Sequence, residues 1–193
     1  MARAESPQGR ADDLLDIATA LLVEKGYAAL SFRSVAAAAG IGLGNLQHYF
    51  PTKADLIRAM LERAFEAFLK AMGERPAGKR DAAREVTDAI RYILADQKRR
   101  DSCVLFWELW ALSAHDAAAA EVMDSFYARY LEMIAGLVRL SRPELTPARA
   151  AKASVLIASL IEGASLFRGH GRSAPAGFDK ALEQTILRIV ADS

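Results

Sequence analysis

Residues 31–55, SFRSVAAAAGIGLGNLQHYFPTKAD, decide how this chain folds. Arg33 to Ala39 reads as a short helix capped by Ser31, whose side-chain oxygen suits the first free N–H groups. Gly40 ends it and supplies the positive φ that a sharp turn needs. A second short helix follows over 43–50, and Pro51 cannot extend it. Val35, Ala36, Ala39, Ile41, Leu46 and Phe50 are spaced to pack the pair onto a preceding helix. Leu43, Gly44, Asn45, Gln47, His48 and Tyr49 are then left around the exposed face and N-terminal end of the second helix. Two short helices about a glycine turn form a minimal helix-turn-helix. Such a second helix can enter a major groove of double-stranded DNA. Asn and Gln can pair with adenine there, and Tyr and His can reach phosphates.

Outward from this stretch every signal is helical, with no convincing period-2 segment. A first helix is expected over 9–25, with Leu14, Ile17, Ala18, Leu21 and Leu22 on one stripe. Gly26 stands at the left-handed position after it, and Tyr27 is the apolar residue that follows. Thr52 opens a long helix with Asp55 three residues on, a reciprocal cap. Its stripe is Ile57, Met60, Leu61, Ala64, Phe65, Phe68 and Met72. Residues 73–79, with Pro76 and Gly78, read as a linker. Further helices are expected over 81–98, 102–113, 117–140, 147–167 and 178–191, with Asp116 and Thr146 as caps and Pro147 at a first helical position. A Gly/Ser/Ala/Pro loop spans 169–177. The fold class is all-α.

Composition bounds the function less tightly. The 193 residues carry 25 Lys+Arg against 24 Asp+Glu, so no overall basic charge advertises nucleic acid. One small positive face, from Arg3, Arg10, Arg33 and Lys53, would suffice. The single Cys103 excludes an internal disulfide and suggests a reducing compartment. No signal peptide and no uncharged run of about 18 apolar residues is evident, the run 153–167 being interrupted by Glu162. A cytoplasmic chain with no membrane partner is expected. Gly40, Gly42 and Gly44 superficially suggest a phosphate loop, but no strand precedes them and no Walker lysine follows. The three histidines, His48, His115 and His170, are scattered without metal-ligand spacing. Neither an enzyme nor a cofactor is expected.

Gly40, Ile41, Gly44, Leu46, His48, Tyr49, Phe50 and Lys53 together resemble the signature of the tetracycline-repressor (TetR) family, over roughly residues 10–58. The segment Leu105 to Asp116, with FWELWALSAHD as its core, is similar to the branch that includes choline- and betaine-responsive repressors. The resemblance implies a head over 1–51 that binds DNA and a body over 52–193 that binds ligand and dimerises. It implies a homodimer on a pseudo-palindromic operator, most simply a repressor released by a small molecule, with the helix from Thr52 as lever. By position Ser31, Arg33, Tyr49 and Lys53 match family residues that hold phosphates. Leu43, Gly44, Asn45, Gln47 and His48 match those that face bases. Gly42-Leu43 stands where Ser-Lys is frequent, Asn45 where Thr is, and Gln47 where Tyr is, so the operator sequence does not carry over.

The body offers Phe106, Trp107, Trp110, Tyr127, Tyr130, Met133 and Phe167 on segments expected near its centre. They pack a core or line a pocket, and the sequence leaves both open. With Glu108 or Glu162 as counter-charge, a pocket would take an apolar or cationic molecule. Glu162 would be costly if buried unpaired, and its alternatives are a partner such as Arg168 or a ligand. The helix 147–167 carries Ala151, Ser154, Ala158, Glu162 and Ser165 along one row, all small but the glutamate, beside Val155, Ile157, Leu160 and Ile161. With Ala181, Leu182, Ile186, Ile189 and Val190 of the last helix it could form a four-helix interface with a second subunit, or bury within its own chain. The rival function is a helical interaction module or small-molecule binder without DNA affinity.

Overall fold

Side chains at the helix ends set the architecture of this computed structural model, which describes residues 7–73 and 82–193. The elements are α1 (Pro7–Lys25), a 3₁₀ turn (Tyr27–Ala29), α2 (Phe32–Ala38), α3 (Leu43–Tyr49), α4 (Lys53–Gly73), α5 (Ala82–Asp96), α6 (Arg100–Ser113), α7 (Ala117–Ser141), α8 (Pro147–Arg168) and α9 (Phe178–Asp192). The chain is all-α, with no strand among the described residues. Arg3, Asp81 and most of the 73–79 linker lie outside the described residues.

The expected caps form. Ser31 accepts from the Ser34 N–H at 3.1 Å, while the Ser31 N–H donates to Ser34 Oγ at 2.9 Å. Thr52 and Asp55 exchange the same pair of bonds at 3.0 and 3.1 Å. Thr146 and Asp116 accept from the N–H groups of Arg149 and Ala119. Each satisfies donors that the first helical turn leaves free.

Gly40 has φ of 65°, the left-handed turn between α2 and α3. Gly26 differs from its expectation. Its N–H closes α1 onto the Leu22 carbonyl at 2.9 Å, and φ is positive at 77°, but ψ is 170° rather than helical. That combination is open essentially to glycine alone. The chain therefore leaves α1 extended, and the Tyr27 N–H donates to Glu108 instead.

The helices pack as two units. The first comprises residues 7–67 and 104–124. α1, α2 and α3 pack together around Leu14, Leu22, Val35 and Leu46, all fully buried. Leu56 and Leu61 of α4 and Leu109 of α6 are buried as deeply. Arg63 ties α4 to α1, donating to the Asp12 carbonyl at 2.6 Å and pairing with Asp16 at 2.8 Å. This unit continues past residue 51 into the start of α4, whose Leu56, Ile57 and Leu61 are buried.

The second unit comprises residues 68–73, 82–103 and 125–193. α9 packs on α5 and α8, around Val86, Ile90, Ile157, Ile161 and Ile186. α8 is long and apolar enough to cross a membrane by length and composition alone, with mean hydropathy 1.5, and 44% of that window is buried within the chain. Of the expected small-residue face of α8, Ser154, Ala158 and Ser165 are buried in their own chain, while Ala151 is exposed. The face left outward carries Val155, Leu156, Leu166 and Phe167, between 49% and 69% exposed.

Candidate functional site

The turn at Gly40 presents α3 so that Leu46 and the following Phe50 anchor it. Their burial turns Leu43, Gly44, Asn45, Gln47 and His48 outward, all exposed. The residues expected at phosphates lie at its flanks. Arg33 is exposed on α2, and Ser31 is exposed while serving as its cap. Tyr49 is half-buried, edge-on to the His48 ring at 5.8 Å. Lys53, at the start of α4, places Nζ 3.7 Å from the centroid of the Tyr27 ring. Arg10 reaches the Ala39 carbonyl beside the turn.

The residues expected around a ligand, Met133 of the second unit among them, divide between the two units. Phe106, Trp107, Glu108 and Trp110 belong to the first. The Glu108 carboxylate accepts the Tyr27 N–H at 2.7 Å. Trp110 is 48% exposed.

Tyr127, Tyr130, Glu162 and Phe167 belong to the second unit, where the first three come together. The Tyr127 hydroxyl donates to the Glu162 carboxylate. Tyr127 and Tyr130 meet edge to face at 6.0 Å, and Phe126 stacks on Tyr130 at 6.1 Å, one helical turn away on α7. Burial pushes the Glu162 carboxyl up to about 7, against the opposing effect of the Tyr127 hydrogen bond. Burial also pushes the Tyr130 hydroxyl well up, reinforced by Glu162, Tyr127 and Asp96. The Asp96 carboxyl is raised by burial as well, despite its bond from Ser102. Phe167 is apart from this group, 69% exposed on the outer face of α8. Phe126 and Asp96 were missed by the sequence reading. Phe126 was findable, one residue before Tyr127 and four before Tyr130, whereas nothing local marks Asp96.

Arg168 is not the partner of Glu162. It is buried, donating to Asp179 at 2.6 Å, to Gln97 Oε1 at 2.9 Å and to the Leu94 carbonyl. It also borders a cavity of about 610 Å³ at the α8–α9 loop, with Lys98, His170, Arg172, Phe178 and Lys180. Among the described residues no group of three or more His, Cys, Asp or Glu converges as a metal site.

Residues 14–60 match the tetR family of bacterial regulatory proteins, and residues 79–191 match the C-terminal domain of BetI-type transcriptional repressors. The chain belongs to the TetR family. It is 30% identical over 129 residues to an uncharacterized HTH-type transcriptional regulator in the dhlA 5′ region of Xanthobacter autotrophicus, a match covering 65% of this chain. The TetR-family chain thus spans 64% of that relative's length, less than two thirds. Among solved structures, a TetR-family regulator from Rhodococcus sp. superposes with TM-score 0.75 at 20% identity, covering 95% of this chain and 97% of its own. A regulator from Saccharomonospora viridis, solved in complex with choline, superposes with TM-score 0.69 at 17% identity over 96% and 97%. At these identities both are likenesses of fold.

Proposed function

We propose that this TetR-family chain is a DNA-binding transcriptional regulator, acting as a repressor that a small molecule releases from its operator. The observation that carries the reading is the presentation of α3. Leu46 is fully buried while Asn45 and Gln47 on either side are exposed, so two amide side chains capable of pairing with adenine face outward beside an open helix N-terminus. Arg33 and Lys53 flank them as phosphate contacts. No catalytic chemistry is needed, and the reading places the protein in the cytoplasm with its DNA.

The effector is an apolar or cationic organic molecule, held by Tyr127, Tyr130 and Glu162. Aromatic faces and a carboxylate with no guanidinium partner among the described residues suit a cation. Choline, the ligand of the Saccharomonospora viridis regulator, is of that class. Binding releases DNA only so far as the ligand prefers the non-binding conformation. Trp107 and Trp110 belong to the other unit with Glu108, whose carboxylate accepts the Tyr27 N–H.

Assembly is as a homodimer through the last two helices. α8 is apolar on both sides; one side is buried in its own chain and the other is exposed, which a soluble monomer rarely tolerates. The dimer face is Val155, Leu156, Leu166 and Phe167 rather than the small residues first expected. Phe167 belongs to this face and not to the ligand site.

Hydroxyl-radical footprinting on the DNA upstream of the chain's own gene tests the reading. The expected result is two protected patches about one helical turn, 10–10.5 base pairs, apart. Absent or uniform protection would leave the rival reading, a ligand-binding helical module without DNA affinity.

A further inference from the structure

Three contacts within the first unit run from α6 to the start of α4. The Glu108 carboxylate accepts the Tyr27 N–H at 2.7 Å. The same carboxylate stands 3.6 Å from where a side chain on Gly26 would begin, so it fills the concave side of the α1 exit. The ring of Tyr27 in turn carries the Lys53 ammonium 3.7 Å from its centroid. The ends of this line are fixed: Leu109 beside Glu108 is fully buried, and the Thr52–Asp55 cap holds the backbone next to Lys53.

We propose that Glu108 is a positioning residue for DNA binding, fixing Tyr27 from α6 so that Tyr27 holds the Lys53 ammonium where a backbone phosphate can take it. The inference rests on the DNA-binding reading above and names a route within it. A lysine is a point charge on four rotatable methylenes, and much of the cost of a phosphate contact is the ordering of that stem. The Tyr27 face meets that cost in advance through cation–π attraction, which still leaves the outer side of the ammonium for DNA. Tyr27 can do this only while its backbone is held. With ψ extended at Gly26, the Tyr27 N–H leaves the α1 ladder, and the Glu108 carboxylate is the group that receives it. A charge-assisted hydrogen bond weakens steeply with distance and angle, so a small displacement of α6 releases the corner. α6 thereby acts on the DNA-contacting residues through the α1–α2 corner.

The test is a set of binding isotherms, over a salt series, on the duplex upstream of the chain's own gene. Lys53→Ala, Tyr27→Leu and Glu108→Ala should each weaken binding about tenfold. Each should also lower the salt slope, by about one in Lys53→Ala and by part of that in the other two, where the unordered Lys53 meets its phosphate less often. Glu108→Ala added to Lys53→Ala should cost nothing further. Glu108→Gln, which keeps an acceptor, and Tyr27→Phe, which keeps the ring, should stay close to wild type. Additive losses in the double variant, or an unchanged salt slope in Glu108→Ala, would overturn the proposal. Should Glu108→Ala fail to fold, Tyr27→Leu decides from the other end, and unchanged affinity and slope there would overturn it. NMR separates this inference from the DNA reading. The Lys53 ε-methylene protons should be shifted upfield by the Tyr27 ring in the free wild type and move to random-coil positions in Glu108→Ala. If wild type prefers no DNA, the functional reading fails while this shift still reports whether the link exists; an unmoved shift in Glu108→Ala refutes the link alone.

Discussion

The hydroxyl of Tyr127 on α7 donates a hydrogen bond to the carboxylate of Glu162 on α8. The charge that could have neutralised Glu162, the Arg168 guanidinium, is spent on Asp179, Gln97 and the Leu94 carbonyl. A buried carboxyl held by a neutral phenol, beside the Tyr130 and Phe126 rings, binds either a proton or a cation.

The proton comes first. The Glu162 carboxyl is raised from 4.5 in the unfolded chain to about 7 in the folded one. The folded state therefore holds the proton more tightly, and this group's contribution to stability is complete below pH 4.5 and lost as pH rises through 7. Glu162→Gln should match wild type near pH 5 and exceed it at pH 8, by on the order of 2–3 kcal/mol. Urea denaturation at the two pH values measures this; equal stabilities at pH 8 would show that Glu162 carries no burial penalty.

A cation competes with that proton. Affinity for choline, measured by calorimetry, should rise roughly tenfold between pH 6 and pH 8, and the rise should vanish in Glu162→Gln. A pH-independent affinity in wild type would place the ligand elsewhere.

Arg168 is a structural keystone of the second unit. Its side chain is 2% exposed, whereas that of Asp179 is 46% exposed and stays in water without it. Arg168→Met should cost about 2–4 kcal/mol, chiefly from the Leu94 carbonyl and Gln97 left unpaired. Asp179→Asn should cost less than half as much. A loss below about 1 kcal/mol for Arg168→Met would mean that water replaces the guanidinium freely.

The dimer face separates two substitutions that sequence alone would treat alike. Leu166 is 58% exposed and Ala158 is 6% exposed. Leu166→Asp should give a folded monomer by sedimentation, with wild-type helicity. Ala158→Asp should lose the fold, since it buries an unpaired charge in its own chain. A dimeric Leu166→Asp would reject the assigned face.

What the sequence could disclose follows from the range of the interactions. Caps act over three residues, so Ser31, Thr52, Asp116 and Thr146 could be read directly, and with them the starts of α2, α4, α7 and α8. The anchors of α3, Leu46 and Phe50, followed from their spacing about Gly40. The rotation of α8 did not, because a helix apolar on both sides has no periodicity to phase it, and Ala158 and Leu166 could not be told apart. The partners of Glu108 and Glu162 were hidden for another reason. Tyr27 and Glu108 are 81 residues apart, and a carboxylate meeting a backbone N–H leaves no trace in residue type. Likewise, aromatic composition grouped Trp107 and Trp110 with Tyr127 and Tyr130, although the two pairs belong to different units; the latter pair stands with Glu162.

The central claim, that α3 reads DNA, has one direct measurement: the ratio of dissociation constants for the duplex upstream of the chain's own gene and a scrambled duplex, at one fixed salt concentration. Wild type should prefer the former by about 10³-fold or more. Asn45→Ala and Gln47→Ala should each reduce the preference by roughly 1–3 kcal/mol while leaving affinity for the scrambled duplex unchanged. Equal affinity of wild type for the two duplexes, or equal losses on both in the variants, would contradict it.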